Sequence, residues 1–327
     1  MSEKLVTLRA LIVVVVIGTT LSSWTVCADQ AAFIPRIGVL AAPYANAPAN
    51  EGLREGLREL GYVEDESIAV ERRSAGTQEE LRSAAADLVR QKVNVIVVFS
   101  TPAARVALDA TTVPVVFLVG DPVSTGLAAS LARPAGNATG VSLIYAELNT
   151  KRLEILQRLV PGAQRIGCLL NSSNPASVLQ FEATQKAARS LGLQLIKLDA
   201  RNAAEVDAAV LSLSHSAVDG ILVTGDLLLF ASNARIASVI REARLPAVFP
   251  SKEWHTDDVL LTYGPNLREA GRRMAVYVDK ILQGSKPADL PIEKLSAYEF
   301  VIDLRVAREL NLEVPQDLLL SADEVIR

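Results

Sequence analysis

Four landmarks in the chain occur twice, in the same order and at nearly the same spacing. Arg36-Ile37-Gly38-Val39-Leu40 returns as Arg165-Ile166-Gly167-Cys168-Leu169, and Arg58-Glu59-Leu60-Gly61 as Arg189-Ser190-Leu191-Gly192. Val93-Asn94-Val95-Ile96-Val97-Val98 is echoed by Val218-Asp219-Gly220-Ile221-Leu222-Val223, and Val113-Pro114-Val115-Val116-Phe117 by Leu245-Pro246-Ala247-Val248-Phe249. Counted from the first residue of each pair, the displacements are 129, 131, 125 and 132 positions. Unrelated strand–helix sheets share apolar strands and glycine helix stops. A near-constant offset across four landmarks points instead to two homologous lobes.

Each lobe reads as an α/β unit. Ile37–Leu40, Ile68–Val70, Val93–Phe99 and Val113–Val119 are short apolar runs, the last two nearly continuous, as parallel strands covered on both faces require. Between them, Glu51–Leu60 carries Leu53, Leu57 and Leu60 at helical spacing before Gly61, and Gln78–Gln91 is a second helical stretch. Strand–helix alternation of this kind gives right-handed crossovers and a doubly wound parallel sheet. A helix over Glu147–Leu159 follows the first sheet and closes at Pro161-Gly162. After Phe249 come a strand, Val259–Tyr263, a helix, Asn266–Leu282, the strand Tyr298–Ile302 and the helix Leu304–Leu310. These exceed what one lobe needs, so the chain is expected to cross between lobes more than once and to hinge there. The expected division is residues 33–144 plus 259–287 for lobe 1 and 145–258 plus 288–327 for lobe 2.

Residues 1–28 read as an export signal. Lys4 and Arg9 precede the apolar run Leu11–Ile17, and small residues lead to a cleavage point after Ala28. The run is shorter than the roughly 20 residues that span a bilayer, so a membrane anchor is the weaker alternative, as is a lipoprotein acylated at Cys27. An exported, periplasmic protein follows. Cleavage would leave Cys168 as the one cysteine of the mature chain.

Composition narrows function by exclusion. With 33 basic against 37 acidic residues the chain lacks the basic footprint of a nucleic-acid binder. Two histidines and two cysteines leave little for a metal site, and no metal or other cofactor is expected. His255 beside Asp257 and Asp258 is a weak cluster on one short loop, and His215 reads as structural. The chain has no Gly-x-Gly-x-x-Gly, P-loop or Gly-x-Ser-x-Gly elbow, so no catalytic residue is assigned and an enzyme is not expected.

Ligands of open α/β sheets sit beyond the carboxyl ends of the strands. Two facing lobes therefore make a cleft lined by the loops after them. Those loops supply Tyr44, Ser100, Thr101 and Asp121 from lobe 1, and Asn171, Ser172, Asn174, Thr224, Asp226 and Trp254 from lobe 2, with Tyr263 on the later strand. Ser100-Thr101 and Ser172 precede helices whose free N–H groups attract anions. Asp121 and Asp226 can accept from an ammonium or hydroxyls, and Tyr44, Trp254 and Tyr263 can stack on a ring. The competing reading makes the Ser, Asn and Asp residues ordinary helix caps.

The order of segments resembles the bacterial ABC transporter substrate-binding proteins of the tryptophan-binding-protein-like family. The matching stretches include Glu55–Tyr62, Pro114–Phe117 with Gly120-Asp121-Pro122-Val123, Leu131–Gly140, Lys151-Arg152-Leu153-Glu154, Leu159–Ala163, Asn174-Pro175, Thr262-Tyr263-Gly264-Pro265 and Ala322–Ile326. The resemblance implies a type I periplasmic-binding-protein fold with three interlobe crossings. It also implies a monomer that captures a small molecule, such as an aromatic amino acid, and delivers it to an inner-membrane ABC permease. An exported ligand sensor for a membrane receptor is the alternative, and a two-lobed hydrolase a more remote one. The loops Ala41–Asn46, Asn171–Pro175 and Ser251–Asp258 depart from the family pattern, so the fold carries over better than the ligand.

Overall fold

A computed structural model describes residues 34–41 and 47–327. The expected signal segment and Tyr44 lie outside these residues. The first lobe is built from β1 (Arg36–Ala41), α1 (Ala47–Glu59), β2 (Ala69–Ser74), α2 (Gln78–Arg90), β3 (Val95–Val98), α3 (Thr101–Ala110), β4 (Val115–Val119) and β5 (Ala138–Ser142). The second follows as α4 (Tyr145–Leu159), β6 (Arg165–Leu170), α5 (Pro175–Ser190), β7 (Gln194–Asp199), α6 (Ala203–Leu211) and β8 (Gly220–Val223). It continues through α7 (Leu227–Ala231), α8 (Asn233–Glu242), β9 (Ala247–Phe249) and β10 (Leu261–Pro265). α9 (Leu267–Leu282) and β11 (Glu293–Lys294) return to the first lobe. β12 (Tyr298–Asp303), α10 (Leu304–Glu309), α11 (Gln316–Ser321) and β13 (Glu324–Ile326) complete the second.

The strand orders carry the duplication. The first sheet runs β11-β5-β4-β3-β1-β2 and the second β13-β12-β10-β9-β8-β6-β7. Five strands therefore recur in one order: β5-β4-β3-β1-β2 matches β10-β9-β8-β6-β7. All pairs are parallel except β10 with β12. The repeated landmarks do the same work twice. Asn94 Oδ1 accepts from Arg36 N at 2.8 Å, and Asp219 Oδ2 from Arg165 N at 2.8 Å, tying the start of each central strand to its neighbour. The Pro114 carbonyl accepts from Ile96 N, and the Pro246 carbonyl from Ile221 N.

Each sheet is covered on both faces. In lobe 1, α1 and α9 bury Leu53, Leu57, Met274 and Val278 on one side, while α2 and α3 bury Leu81, Leu88, Ala103 and Val106 on the other. In lobe 2, α4 supplies Leu153, Leu156 and Leu159 to one core, and α6 and α8 supply Val206, Val210, Ile236 and Ile240 to the other. Apolar burial on both faces explains the continuous hydrophobic strands.

The chain passes between lobes at 142–145, 265–267 and 294–298. These crossings lie side by side: Leu295 N donates to the Ser142 carbonyl at 3.0 Å, and Asn266 N to the Ala297 carbonyl at 2.9 Å. Two expected boundaries move. Residues 259–265 were expected in lobe 1, but β10 pairs with β9 and β12, filling in the second sheet the place β5 holds in the first. Residues 288–294 were expected in lobe 2, but β11 pairs with β5. The four echoed landmarks stop at the fourth strand of each lobe, and the fifth strand carries no echo.

Candidate ligand-binding cleft

The carboxyl ends of both sheets face each other. Between them an inner cavity of about 50 Å³ lies against Phe99, Leu118 and Leu143 of lobe 1, Phe230 and Trp254 of lobe 2, and Tyr145 and Leu267 at the crossings. An outer hollow of about 480 Å³ shares Ser100, Thr101, Asn174, Asp226 and Leu227 with it, and reaches Thr77, Arg105, Asn171 and Arg201 at the rim. Ligand pockets generally hold about 300–1,000 Å³, a size the outer hollow reaches and the inner cavity alone does not. The lobes touch at the cleft, where a Cβ built on Gly120 would lie 3.5 Å from the Ala176 Cβ. A separate hollow of about 270 Å³ between α1 and the β1–β2 edge touches none of the cleft residues.

Lobe 2 presents a rigid polar shelf. Asp226 caps α7, accepting from Leu228 N at 2.8 Å, and takes the side-chain amides of Asn174 at 2.7 Å and Asn171 at 3.2 Å. Burial pushes its carboxyl up, and these donors offset part of that rise. Asn174 also caps α5 through Ala176 N. Gln180 grips the Gly225 peptide from both sides, donating to its carbonyl at 3.0 Å and accepting from its N–H at 2.8 Å. Thr224 is buried against Ser177 at 2.7 Å. Lobe 1 is plainer: Ser100 caps α3 by accepting from Ala103 N at 3.3 Å, with Thr101 beside it.

The expected site residues divide accordingly. Ser100, Thr101, Asn171, Asn174, Asp226 and Trp254 line the cleft. Trp254 is 3% exposed, edge-on to Phe230 at 5.3 Å, and belongs equally to the lobe 2 core. Four residues take other places. Asp121 turns back to accept from Val123 N and Ser124 N. Ser172 donates its N–H to Asp199 at 3.1 Å. Thr224 lies behind the shelf, and Tyr263 packs against Phe300 and Tyr298. Each is engaged by a partner within its own lobe.

Sequence reading missed Tyr145, the first residue of α4. Its ring lies so close to Gly225 that a Cβ there would come within 2.8 Å of it. Arg152 stands over the same ring at 5.6 Å. This fully buried guanidinium makes no ion pair among the described residues. It donates to the carbonyls of Tyr263 at 2.6 Å and Pro250 at 2.7 Å and to Asn149 Oδ1 at 3.1 Å. Burial pushes it down to about 10, so it remains a cation at neutral pH. One signal was available: Arg152 occupies the apolar stripe of α4 with Leu148, Ile155, Leu156 and Leu159, where a charge needs a reason.

His255 Nε2 lies 3.4 Å from Asp303 Oδ2. Among the described residues no group of three or more His, Cys, Asp or Glu side chains is placed to hold a metal ion, and no helix is long and apolar enough to cross a membrane.

Residues 40–326 match the family model described as ABC transporter substrate binding protein. A tyrosine-binding protein of Clostridioides difficile (strain R20291) is 27% identical over 280 residues, covering 85% of this chain and 79% of the relative. A solved ABC domain in complex with L-Trp, from Streptococcus pneumonia, is 26% identical with a TM-score of 0.83, over 89% of this chain and 99% of that one. The ligand-free, open structure of a substrate binding protein with adhesive properties from Clostridium difficile is 23% identical with a TM-score of 0.66, over 90% and 99%.

Proposed function

Since the chain belongs to the ABC transporter substrate binding proteins, a family that captures solutes for ABC transporters, we propose that its ligand is an aromatic amino acid. The observation that carries this reading is the cleft wall: Phe99, Tyr145, Phe230 and Trp254 surround a cavity bordered by the N-termini of α3 and α5. Aromatic side chains favour edge and offset contacts with a ring, while helix N-termini favour a carboxylate. The likeness to a chain in complex with L-Trp, and to one named for binding tyrosine, supports the same class.

In this reading the solute enters between parted lobes and is enclosed as they close, and the closed form presents itself to an inner-membrane permease. Export to the periplasm with cleavage after Ala28, and action as a monomer, complete the proposal. Thermal unfolding and titration calorimetry with L-tryptophan, L-tyrosine, L-phenylalanine, L-leucine and galactose test it. A ligand at a hundred times its Kd stabilises by about 2.7 kcal/mol, which raises Tm by roughly 4 °C in a chain of this size. Aromatic amino acids should give that rise and galactose none. A shift with galactose or leucine alone would reject the aromatic assignment.

A further inference from the structure

The outer hollow is larger than the head of an amino acid requires. A water needs roughly 10–15 Å³ of cavity space, so the inner cavity of about 50 Å³ holds only a few waters, the bulk of one aromatic ring. By the same measure the outer hollow of about 480 Å³ holds roughly thirty or more. The ammonium and carboxylate of a free amino acid fill a small part of that. Ser100, Thr101, Asn174, Asp226 and Leu227 line both spaces, so the two are joined. A solute seated by its ring therefore has room to extend outward.

The charge around the hollow is one-sided. Arg105 of α3 and Arg201 after β7 bring guanidinium groups from opposite lobes, while Asp226 is the one acid among the described lining residues. That carboxyl already takes Asn171, Asn174 and Leu228 N. Arg201 is answered on its own side, its Nε and Nη2 donating to Glu205 at 3.0 Å each. Arg105 is different. Its guanidinium donates to the backbone carbonyls of Thr125 and of Gly126, the latter at 3.3 Å, and it forms no ion pair among the described residues. Two neutral acceptors fix its direction without cancelling its charge. We propose that the outer hollow is an anion subsite in which Arg105 receives a second carboxylate, carried by the solute beyond its amino-acid head. The solute class is then an aromatic amino acid extended by an acidic group, such as a dipeptide of an aromatic and an acidic residue. The ring of that solute rests on the aromatic assignment above, whereas the charge at Arg105 does not.

The chemistry of the group fits that task. A guanidinium carries five N–H donors, of which the two carbonyls take two, and a carboxylate accepts two in parallel. The amino ends of α2, α3 and α5 open on the same hollow through Thr77, Ser100 and Asn174, and their partial charges have the same sign as the guanidinium. Arg105 is exposed, so its attraction for an anion is moderate in size and weakened by salt.

Titration calorimetry with L-phenylalanine, L-phenylalanyl-L-glutamate and L-phenylalanyl-L-glutamine tests the subsite, because the two dipeptides share a shape and differ by one charge. At about 20 mM salt the glutamate dipeptide should bind about tenfold tighter than the glutamine one, and at about 500 mM the ratio should fall toward one. Arg105→Gln should bring the two dipeptides to one Kd at low salt, and Arg105→Lys should restore part of the preference. Should Arg105→Gln fail to fold, Arg105→Lys and the salt dependence of the wild-type ratio still decide. Equal Kd values for the two dipeptides in the wild type would overturn the proposal, as would a ratio that survives in Arg105→Gln. Binding of L-phenylalanine but of neither dipeptide would reject the extended solute and leave the aromatic assignment standing. Binding of none of the three would reject the aromatic assignment, and the extended solute with it.

Discussion

The two lobes share a strand order but hold their cleft edges differently. At equivalent places after β3 and β8, Ser100 caps its helix with one bond of 3.3 Å, whereas Asp226 gathers Leu228 N, Asn171 and Asn174 around one carboxylate. Behind Ser100 the wall is apolar, with Phe99, Leu118 and Leu143. Behind Asp226 it is a network, Ser177 with Thr224 and Gln180 with Gly225. Duplication has preserved what the sheet needs, such as the matched Asn94 and Asp219 acceptors, and diverged where the lobes face. Lobe 2 holds polar groups in fixed directions, and lobe 1 faces them with a largely apolar wall.

The largest break in the comparison should come from Arg152, a fully buried cation with no counterpart among the described residues of lobe 1. Arg152→Ala leaves the Tyr263 and Pro250 carbonyls and Asn149 Oδ1 without their donor, and opens a cavity beside Tyr145. An unmet buried acceptor costs about 1–3 kcal/mol, so the variant should lose roughly 3–4 kcal/mol in urea unfolding. Arg73→Ala, which removes a partly exposed ion pair to Asp87 on lobe 1, should cost under about 1 kcal/mol. Equal losses would show that the buried guanidinium does not organise lobe 2.

A second, smaller contrast tests the two caps themselves. Ser100→Ala should cost about 1 kcal/mol, the usual worth of a helix N-cap. Asp226→Ala strands the amides of Asn171 and Asn174 as well, and should cost about 2–3 kcal/mol. Its damage should also concentrate in lobe 2, visible as faster amide exchange in Asn171–Ala176 with lobe 1 unaffected.

Much of the fold was legible because period and spacing report sheet burial. The repeated Ile-Gly strand, the Asn94 and Asp219 positions and the two prolines are residues a parallel sheet uses at fixed places, so their recurrence marked both lobes. The strand read at Val259–Tyr263 was assigned to the wrong lobe because β5 and β10 share no motif, and the lobe exchange slipped again at 288–294. The cleft was half legible. Loops after strands named Ser100, Asn174 and Asp226, since a helix cap must stand there. They could not say that Asp121 satisfies its own turn or that Tyr263 is taken up by Phe300, because those outcomes depend on contacts distant in sequence. Tyr145 and Leu267 were invisible for the opposite reason: crossings carry no periodic pattern, and only the assembled hinge turns them toward the cavity.

The gentlest way to sharpen the comparison is to alter the surface where the lobes touch while leaving both edges intact. Gly120 ends β4 in lobe 1, and a Cβ built there would lie 3.5 Å from the Ala176 Cβ of lobe 2 and 3.7 Å from the Tyr145 ring. Those are ordinary contact distances, so Gly120→Ala should bind its solute nearly as tightly as the wild type. Gly120→Leu adds three more carbons beyond that Cβ, which fit only if the lobes stay apart. It should weaken binding about tenfold, equivalent to about 1.4 kcal/mol, with an unchanged urea midpoint because the open form accommodates the side chain. The same enlargement at Gly225 strikes the Tyr145 ring within lobe 2, so Gly225→Ala should lower the urea midpoint whether or not the lobes are closed. If Gly120→Leu lowered the midpoint as well, the Gly120–Ala176 contact would be part of the folded core rather than a surface made and broken at closure.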